Sequence, residues 1–186
     1  DSVFVTATRS PQRLADVLAD VTVLTRADIE RQAFGGIADL LRNNGCAEMT
    51  SNGGPASNTS LYLRGAETRH TLVLIDGMRV DSQATGGASW QALPLSQIER
   101  IEVVKGSGQV LYGPQTVGGM INFVTRPVPA DGLAGSVSAA AGNNDFRSLH
   151  ANVGYGGELG GVMLDVLQKT GDGVRDNHDF DVREYT

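Results

Sequence analysis

The sequence predicts an α+β chain in two parts: a small mixed-sheet domain with short helices, then antiparallel β-hairpin strands. Three observations carry that prediction. The apolar period changes from helical to strand-like near residue 45, where short β runs begin to alternate with Gly, Asn and Ser. Glycine is in excess, at 24 of 186 residues, without a collagen period, which points to many turns and tight β geometry. From Gly132 the segments "LAGSVSAAAG", "FRSLHANVGYG" and "GVMLDVLQKTGDG" alternate imperfectly between apolar and small or polar residues. That is a β-meander pattern, and its small inward residues suit a barrel wall.

The chain opens "DSVFVTATRSPQ", a β-prone run closed by Arg9 and Pro11. No earlier segment is expected as its hairpin partner, and residues 8–20 read as a linker, so composition leaves open what this strand pairs with. A sticky free strand is otherwise an aggregation hazard. A short strand follows at Val21–Leu24. Thr25 and Asp28 form a near capping box, and Ile29 begins the apolar face of a helix that Gly35-Gly36 breaks. A second helix over 37–43 places Ile37, Leu40 and Leu41 on one face, with Gly45 as its stop.

The β runs are "AEMTS", "SLYLRG" and "TLVLIDGMRV". Leu72–Ile75 is continuously apolar, which suits a strand buried on both faces. Asp76-Gly77 is a tight-turn pair, so "LVLIDGMRV" reads as a hairpin. Residues 81–92 form a polar, Gly-rich loop carrying Trp90. Pro94 opens a short helix through Gln97, and Ile101–Val104 is the next strand. "GSGQVLYGPQTVGG" is a tight loop, and "MINFVTR" closes the first part. The later strands are joined by turns at Asn143-Asn144-Asp145 and from Gly156-Gly157 to Gly161.

Composition excludes several classes. Apolar residues make 40 % and charged residues 19 % of the chain, so a core can form. A net charge of −6 with scattered basic residues argues against nucleic-acid binding. The single cysteine, Cys46, cannot form an internal disulfide and reads as a small buried side chain. The segment Gly106–Gly119 fails as a phosphate loop, because Lys105 precedes the glycines, and as a dinucleotide fingerprint, because Leu111 stands where Gly is needed. Ser107 lies between glycines at the wrong spacing for a nucleophile elbow. His70, His150 and His178 are far apart and read as surface or half-buried polar residues. Asp172, Asp176, Asp179 and Asp181 lack the order of a calcium loop and read as a solvated hairpin loop.

The ordered segments "LLRNNG", "LYLRG", "LVLIDGMRV", "IERIEVVKG" and "LYGPQTVGGMINFVT" resemble the plug domain of TonB-dependent outer-membrane receptors. Leu61–Val80 is most similar to plugs of cobalamin-type receptors, whereas "GSGQVLYGPQTVGGMINFVTRPVP" looks closer to ferric-citrate-type receptors. Asn44-Gly45-Cys46 departs from the family's Pro-Gly-Val turn, keeping the glycine and losing the proline. The resemblance implies a TonB box and linker over 1–12, a plug over 13–131, and over 132–186 the first strands of an incomplete 22-stranded barrel. Twenty-two strands need on the order of 220 residues, so some three opening strands are expected here.

What the resemblance implies about function follows by position. Asp1, Ser2, Val3, Phe4, Val5, Thr6 and Ala7 match the TonB box, a strand for β-augmentation onto the periplasmic C-terminal domain of TonB. Arg64 and Lys105 match cations that face glutamates on the barrel wall; Lys at 105 keeps the charge but loses the bidentate fork. Asn52, Asn58, Gln83 and Trp90 fall in the apical loops that contact ligand. The resemblance implies an outer-membrane transporter for a ferric chelate or corrinoid, with a periplasmic N-terminus and no cofactor or catalytic activity. A stand-alone periplasmic or secretin-like binding module is the alternative.

Overall fold

The computed structural model describes residues 4–5, 12–13, 20–32, 36–51, 59–80, 95–106, 116–158, 160–172 and 179–185. The chain forms two compact units, the second beginning at Arg126. At the N-terminus, Phe4–Val5 (β1) pairs antiparallel with Gln12–Arg13 (β2), Phe4 opposite Arg13 and Val5 opposite Gln12. This corrects the reading of residues 8–20 as linker throughout. Backbone donors and acceptors take the nearest compatible edge, and edges so near in sequence cost little to bring together.

The first unit is built on a five-stranded mixed sheet in the order β3-β8-β9-β6-β7. Its strands are Asp20–Leu24 (β3), Thr71–Ile75 (β6), Met78–Arg79 (β7), Ile98–Lys105 (β8) and Gly119–Thr125 (β9). Only β6 and β9 run parallel; the other ladders are antiparallel. Glu48–Ser51 (β4) and Thr59–Tyr62 (β5) make a separate antiparallel pair. The β6–β7 hairpin turns at Asp76 and Gly77, whose φ values of +50° and +78° are those of a primed two-residue turn.

Two short helices cover one face of the sheet. Arg26–Arg31 (α1) starts where Thr25 donates both its backbone N–H (2.9 Å) and its hydroxyl (2.6 Å) to Asp28. Gly36–Asn43 (α2) buries Ile37, Leu40 and Leu41, as the apolar spacing predicted. It ends in a Schellman motif: the Gly45 N–H reaches Arg42 O and the Cys46 N–H reaches Leu41 O. Gly45, at φ +62°, supplies the left-handed residue this closure needs. Ile29, Leu40 and Leu41 pack with Val73, Ile101, Val103, Ile121 and Phe123. Fully burying each such side chain is worth roughly 1.5–3 kcal/mol.

Alternate residues point to the other face, where Leu72, Leu74, Val104 and Met120 form a second apolar cluster. Strand β6 is therefore buried on both sides, with Ile75 opening slightly at the turn. Within this second face lie two fully buried polar side chains, Glu102 and Asn122, directly opposite each other on β8 and β9. Glu102 accepts from Arg100 Nε (2.9 Å) and from Asn122 Nδ2 (3.3 Å), and Asn122 Oδ1 accepts the Gly77 N–H at 3.1 Å. A buried carboxylate persists only when paired and hydrogen-bonded in this way.

The second unit is an antiparallel meander of Gly132–Ala141 (β10), Arg147–Gly157 (β11), Gly160–Gly171 (β12) and Phe180–Tyr185 (β13), in that order. It has four strands rather than three. The fourth corrects the reading of the acidic stretch as loop throughout: Phe180–Tyr185 pairs with Val166–Gly171, its alternation half-burying Phe180 and Val182 and leaving Asp181 and Arg183 exposed on the other face. The β10–β11 turn falls on Asn144 and Asp145, both at positive φ. One face exposes Leu133, Val137, Leu149, Val153, Tyr155, Val162, Leu164 and Tyr185. The other carries Ser136, Ser138, Asn152, His150 and Asp165 among small residues. His150 is buried rather than half-exposed, because its Nε2 meets Asp165 Oδ2 at 2.8 Å across neighbouring strands.

Candidate functional site

The residues after β5 form a tight reversal at one end of the sheet. Leu63 and Ala66 exchange both backbone hydrogen bonds, at 3.1 and 3.0 Å, around Arg64 and Gly65. Both central residues have positive φ, +52° and +76°. Glycine accepts this at no steric cost, but an arginine in the left-handed region costs roughly 1–2 kcal/mol. Thr68 ties the base of the reversal: its hydroxyl accepts the Leu61 N–H at 2.9 Å and donates to Leu61 O at 3.0 Å.

The reversal lies hard against β8 and β9, and glycines make the approach possible. A Cβ on Gly119 would stand 2.2 Å from Val104 O and 2.6 Å from a Leu63 methyl; one on Gly118 would stand 2.7 Å from the Ala66 Cβ. A Cβ on Gly106 would lie 3.4 Å from Arg64 Nη1, so the guanidinium runs past bare backbone. Arg64 Nη2 then meets Asp20 Oδ2 at 3.2 Å. Asp20 is the cross-strand partner of Lys105. Lys105 Nζ donates to Gly45 O at 2.9 Å, a cation on the carbonyl end of α2. Sequence positions 20, 45, 64 and 105 thus meet at one end of the unit.

Cys46, beside this cluster, is buried with its thiol 3.7 Å from Asn44 O. Burial pushes the thiol pKa up, and the charge of Lys105 offsets part of that. This is an inert packing thiol, in line with its sequence reading.

The other sequence-derived positions fall as follows. Of Asp1–Ala7, Phe4 and Val5 are described, and both lie in β1. Asn52, Asn58, Gln83 and Trp90 lie outside the described residues, as do Asp176 and His178. His70 closes a 3₁₀ turn over Thr68–His70. Among the described residues no group of three or more His, Cys, Asp or Glu could hold a metal ion. Sequence reasoning missed Asp20, Glu102, Asn122 and Asp165. The signal available for Asn122 was an amide within the apolar run "MINFV".

Comparison with known proteins places these features. Residues 13–120 match the family model described as TonB-dependent Receptor Plug Domain. The vitamin B12 transporter BtuB of Photobacterium profundum is 36 % identical over 174 residues, covering 93 % of this chain and 28 % of that protein. BtuB of Vibrio cholerae is 37 % identical over 149 residues, covering 80 % of this chain and 24 % of that protein. The chain therefore spans about a quarter of the length of these relatives. Among solved structures, the pyoverdine receptor FpvA of Pseudomonas aeruginosa superimposes with a TM-score of 0.82 at 21 % identity, over 97 % of this chain and 26 % of that one. The siderophore receptor PiuA of Acinetobacter baumannii gives 0.69 at 25 % identity, over 95 % of this chain and 24 % of that one. The chain belongs to the TonB-dependent receptor plug-domain family.

Proposed function

We propose that the chain is the plug and the first wall strands of an outer-membrane, ligand-gated transporter energised through TonB. The observation that carries this reading is the meander after the plug sheet. It exposes an apolar band, bounded at one end by Arg147, Asp181 and Arg183, and turns small and polar residues to the other side, the alternation of a wall between lipid and an aqueous lumen. The plug stops the lumen until ligand binds; the N-terminal strand, Asp1–Ala7, is the handle taken by the TonB C-terminal domain in the periplasm. Arg64 and Lys105 meet acidic groups of the wall, and Asn52, Asn58, Gln83 and Trp90 face the ligand from the apical loops.

The curated relatives, at 36 and 37 % identity, are vitamin B12 transporters, whereas the siderophore receptors resemble this chain at 21 and 25 %. A corrinoid is therefore favoured over a ferric chelate as the ligand class. Calorimetry of a peptide of residues 1–12 against a TonB C-terminal domain tests the energising step. Binding supports it, and no heat at saturating concentration sinks it. A stand-alone periplasmic module would instead run as a soluble monomer by size exclusion, with its last 55 residues fully protected from hydrogen exchange.

A further inference from the structure

Two glycines in the meander, Gly154 and Gly156, are kept bare by one short segment of the chain, and a third, Gly161, by that segment together with the neighbouring strand. A Cβ on Gly156 would stand 1.7 Å from the Pro129 carbonyl oxygen. One on Gly154 would stand 2.8 and 3.1 Å from two ring carbons of Pro129, and one on Gly161 would stand 2.5 Å from a Val128 methyl and 2.8 Å from Tyr155 O on the neighbouring strand. Gly156 and Gly161 are cross-strand partners, and Gly154 shares their face two residues earlier on β11. None of the three has a positive φ. Backbone conformation does not call for glycine at these positions; space does. Glycine inside a strand weakens it, so three together signal that another backbone must come close.

The order of contacts shows the path of that segment. Val128 lies over Gly161 on β12, Pro129 and Ala130 lie over Gly154 and Gly156 on β11, and Gly132 then begins β10 opposite Gly156. The strap crosses the strands one after another before joining the edge strand. Without it, tension arriving along the chain from Thr125 would act at the first residue of β10 and open the β10–β11 ladder one hydrogen bond at a time. With it, the tension is borne first across β12 and β11.

We infer that Val128–Ala130, seated on Gly154, Gly156 and Gly161, is a strain relief that shields β10 from load applied to the preceding domain. The source of that load rests on the TonB-energised reading; the seat itself does not. A mutant cycle in the full-length receptor that carries this chain tests it, read by denaturant unfolding of the wall and by pulling the N-terminus against the membrane-held barrel. Gly154→Ala collides with the proline ring, so it lowers the unfolding midpoint and speeds β10 detachment at constant force by about tenfold. Pro129→Ala removes the colliding carbons and restores both. Gly156→Ala collides with a backbone oxygen, so Pro129→Ala does not rescue it. Where Gly156→Ala fails to fold, the Gly154 pair decides alone. Equal behaviour of Gly154→Ala with and without Pro129→Ala overturns the seat. A midpoint shift with unchanged detachment rate overturns the strain relief. Failure of the TonB peptide to bind, with this cycle intact, would count against the receptor reading only.

Discussion

The Asp76 carboxylate holds Thr125 twice, accepting its backbone N–H at 2.9 Å and its hydroxyl at 2.7 Å. The same residue sits at φ +50° in the β6–β7 turn and gives its own N–H to Phe123 O. One side chain thus fastens a turn to the last residue of the parallel neighbour β9, where the first unit ends.

Removing that fastening has a defined cost. Asp76→Ala loses both hydrogen bonds and leaves alanine in the left-handed region, for about 2 kcal/mol in total. Asp76→Asn keeps one acceptor and a side chain that tolerates this conformation, so about 1 kcal/mol or less is expected. Urea unfolding of the two variants measures the difference, and equal losses would show that the carboxylate is incidental.

On the proposal that Arg64 meets the barrel wall, stability and function pull apart at this residue. Its ion pair with Asp20 is about half exposed on both sides and is worth about 0–1 kcal/mol. Arg64→Gly relieves the left-handed backbone and should unfold at an equal or higher denaturant midpoint, by up to about 1 kcal/mol. Uptake by a receptor carrying the variant should fall. A clear loss of stability would mean that the arginine is there for the fold.

Asp28 sets a pH dependence. Hydrogen bonds from Thr25, hydroxyl then backbone, and the nearby Arg31 hold its pKa below the ordinary 3.8. A carboxylate depressed in the folded state adds stability that is complete above the unfolded pKa and is lost as pH falls through the folded one. Acid unfolding should therefore show a component below pH 3.8 that Asp28→Asn abolishes and Thr25→Ala weakens.

Asn122→Leu should be among the most damaging single changes. It takes a donor from buried Glu102 and the acceptor from the Gly77 N–H, a loss of about 3 kcal/mol. Differential scanning calorimetry reads it. A shift no larger than that of a surface substitution would show that the network is dispensable.

Cys46 should resist thiol reagents. Its burial and raised pKa leave little accessible thiolate at pH 8, so Ellman's reagent should react in step with unfolding as urea rises. Fast labelling of the folded chain would contradict the packing described.

Local chemistry was legible in the sequence wherever neighbours along the chain decide the outcome. Ile37, Leu40 and Leu41 with Gly45 specify α2 and its end; Thr25 and Asp28 specify the start of α1; Asp76-Gly77 specifies the hairpin. Leu72–Ile75 reads as buried on both faces because an unbroken apolar run leaves no face for water. The resemblance of ordered motifs extended this to the family and to the wall strands. Asp20 beside Arg64, Glu102 opposite Asn122, and His150 against Asp165 were not legible. Each pair spans 15 to 44 residues and meets only through strand register or packing.

Glycine shows the division most clearly. The sequence alone established the excess and assigned it to turns and tight β geometry; the turns hold for Gly45 and Gly77, where positive φ is demanded by the residues on either side. It could not reveal that Gly119, Gly154, Gly156 and Gly161 are bare because Val104, Pro129, Val128 and Tyr155 lie against them. A dihedral angle is a local property that a short sequence can encode, whereas the room for a Cβ depends on whichever segment the tertiary fold brings alongside.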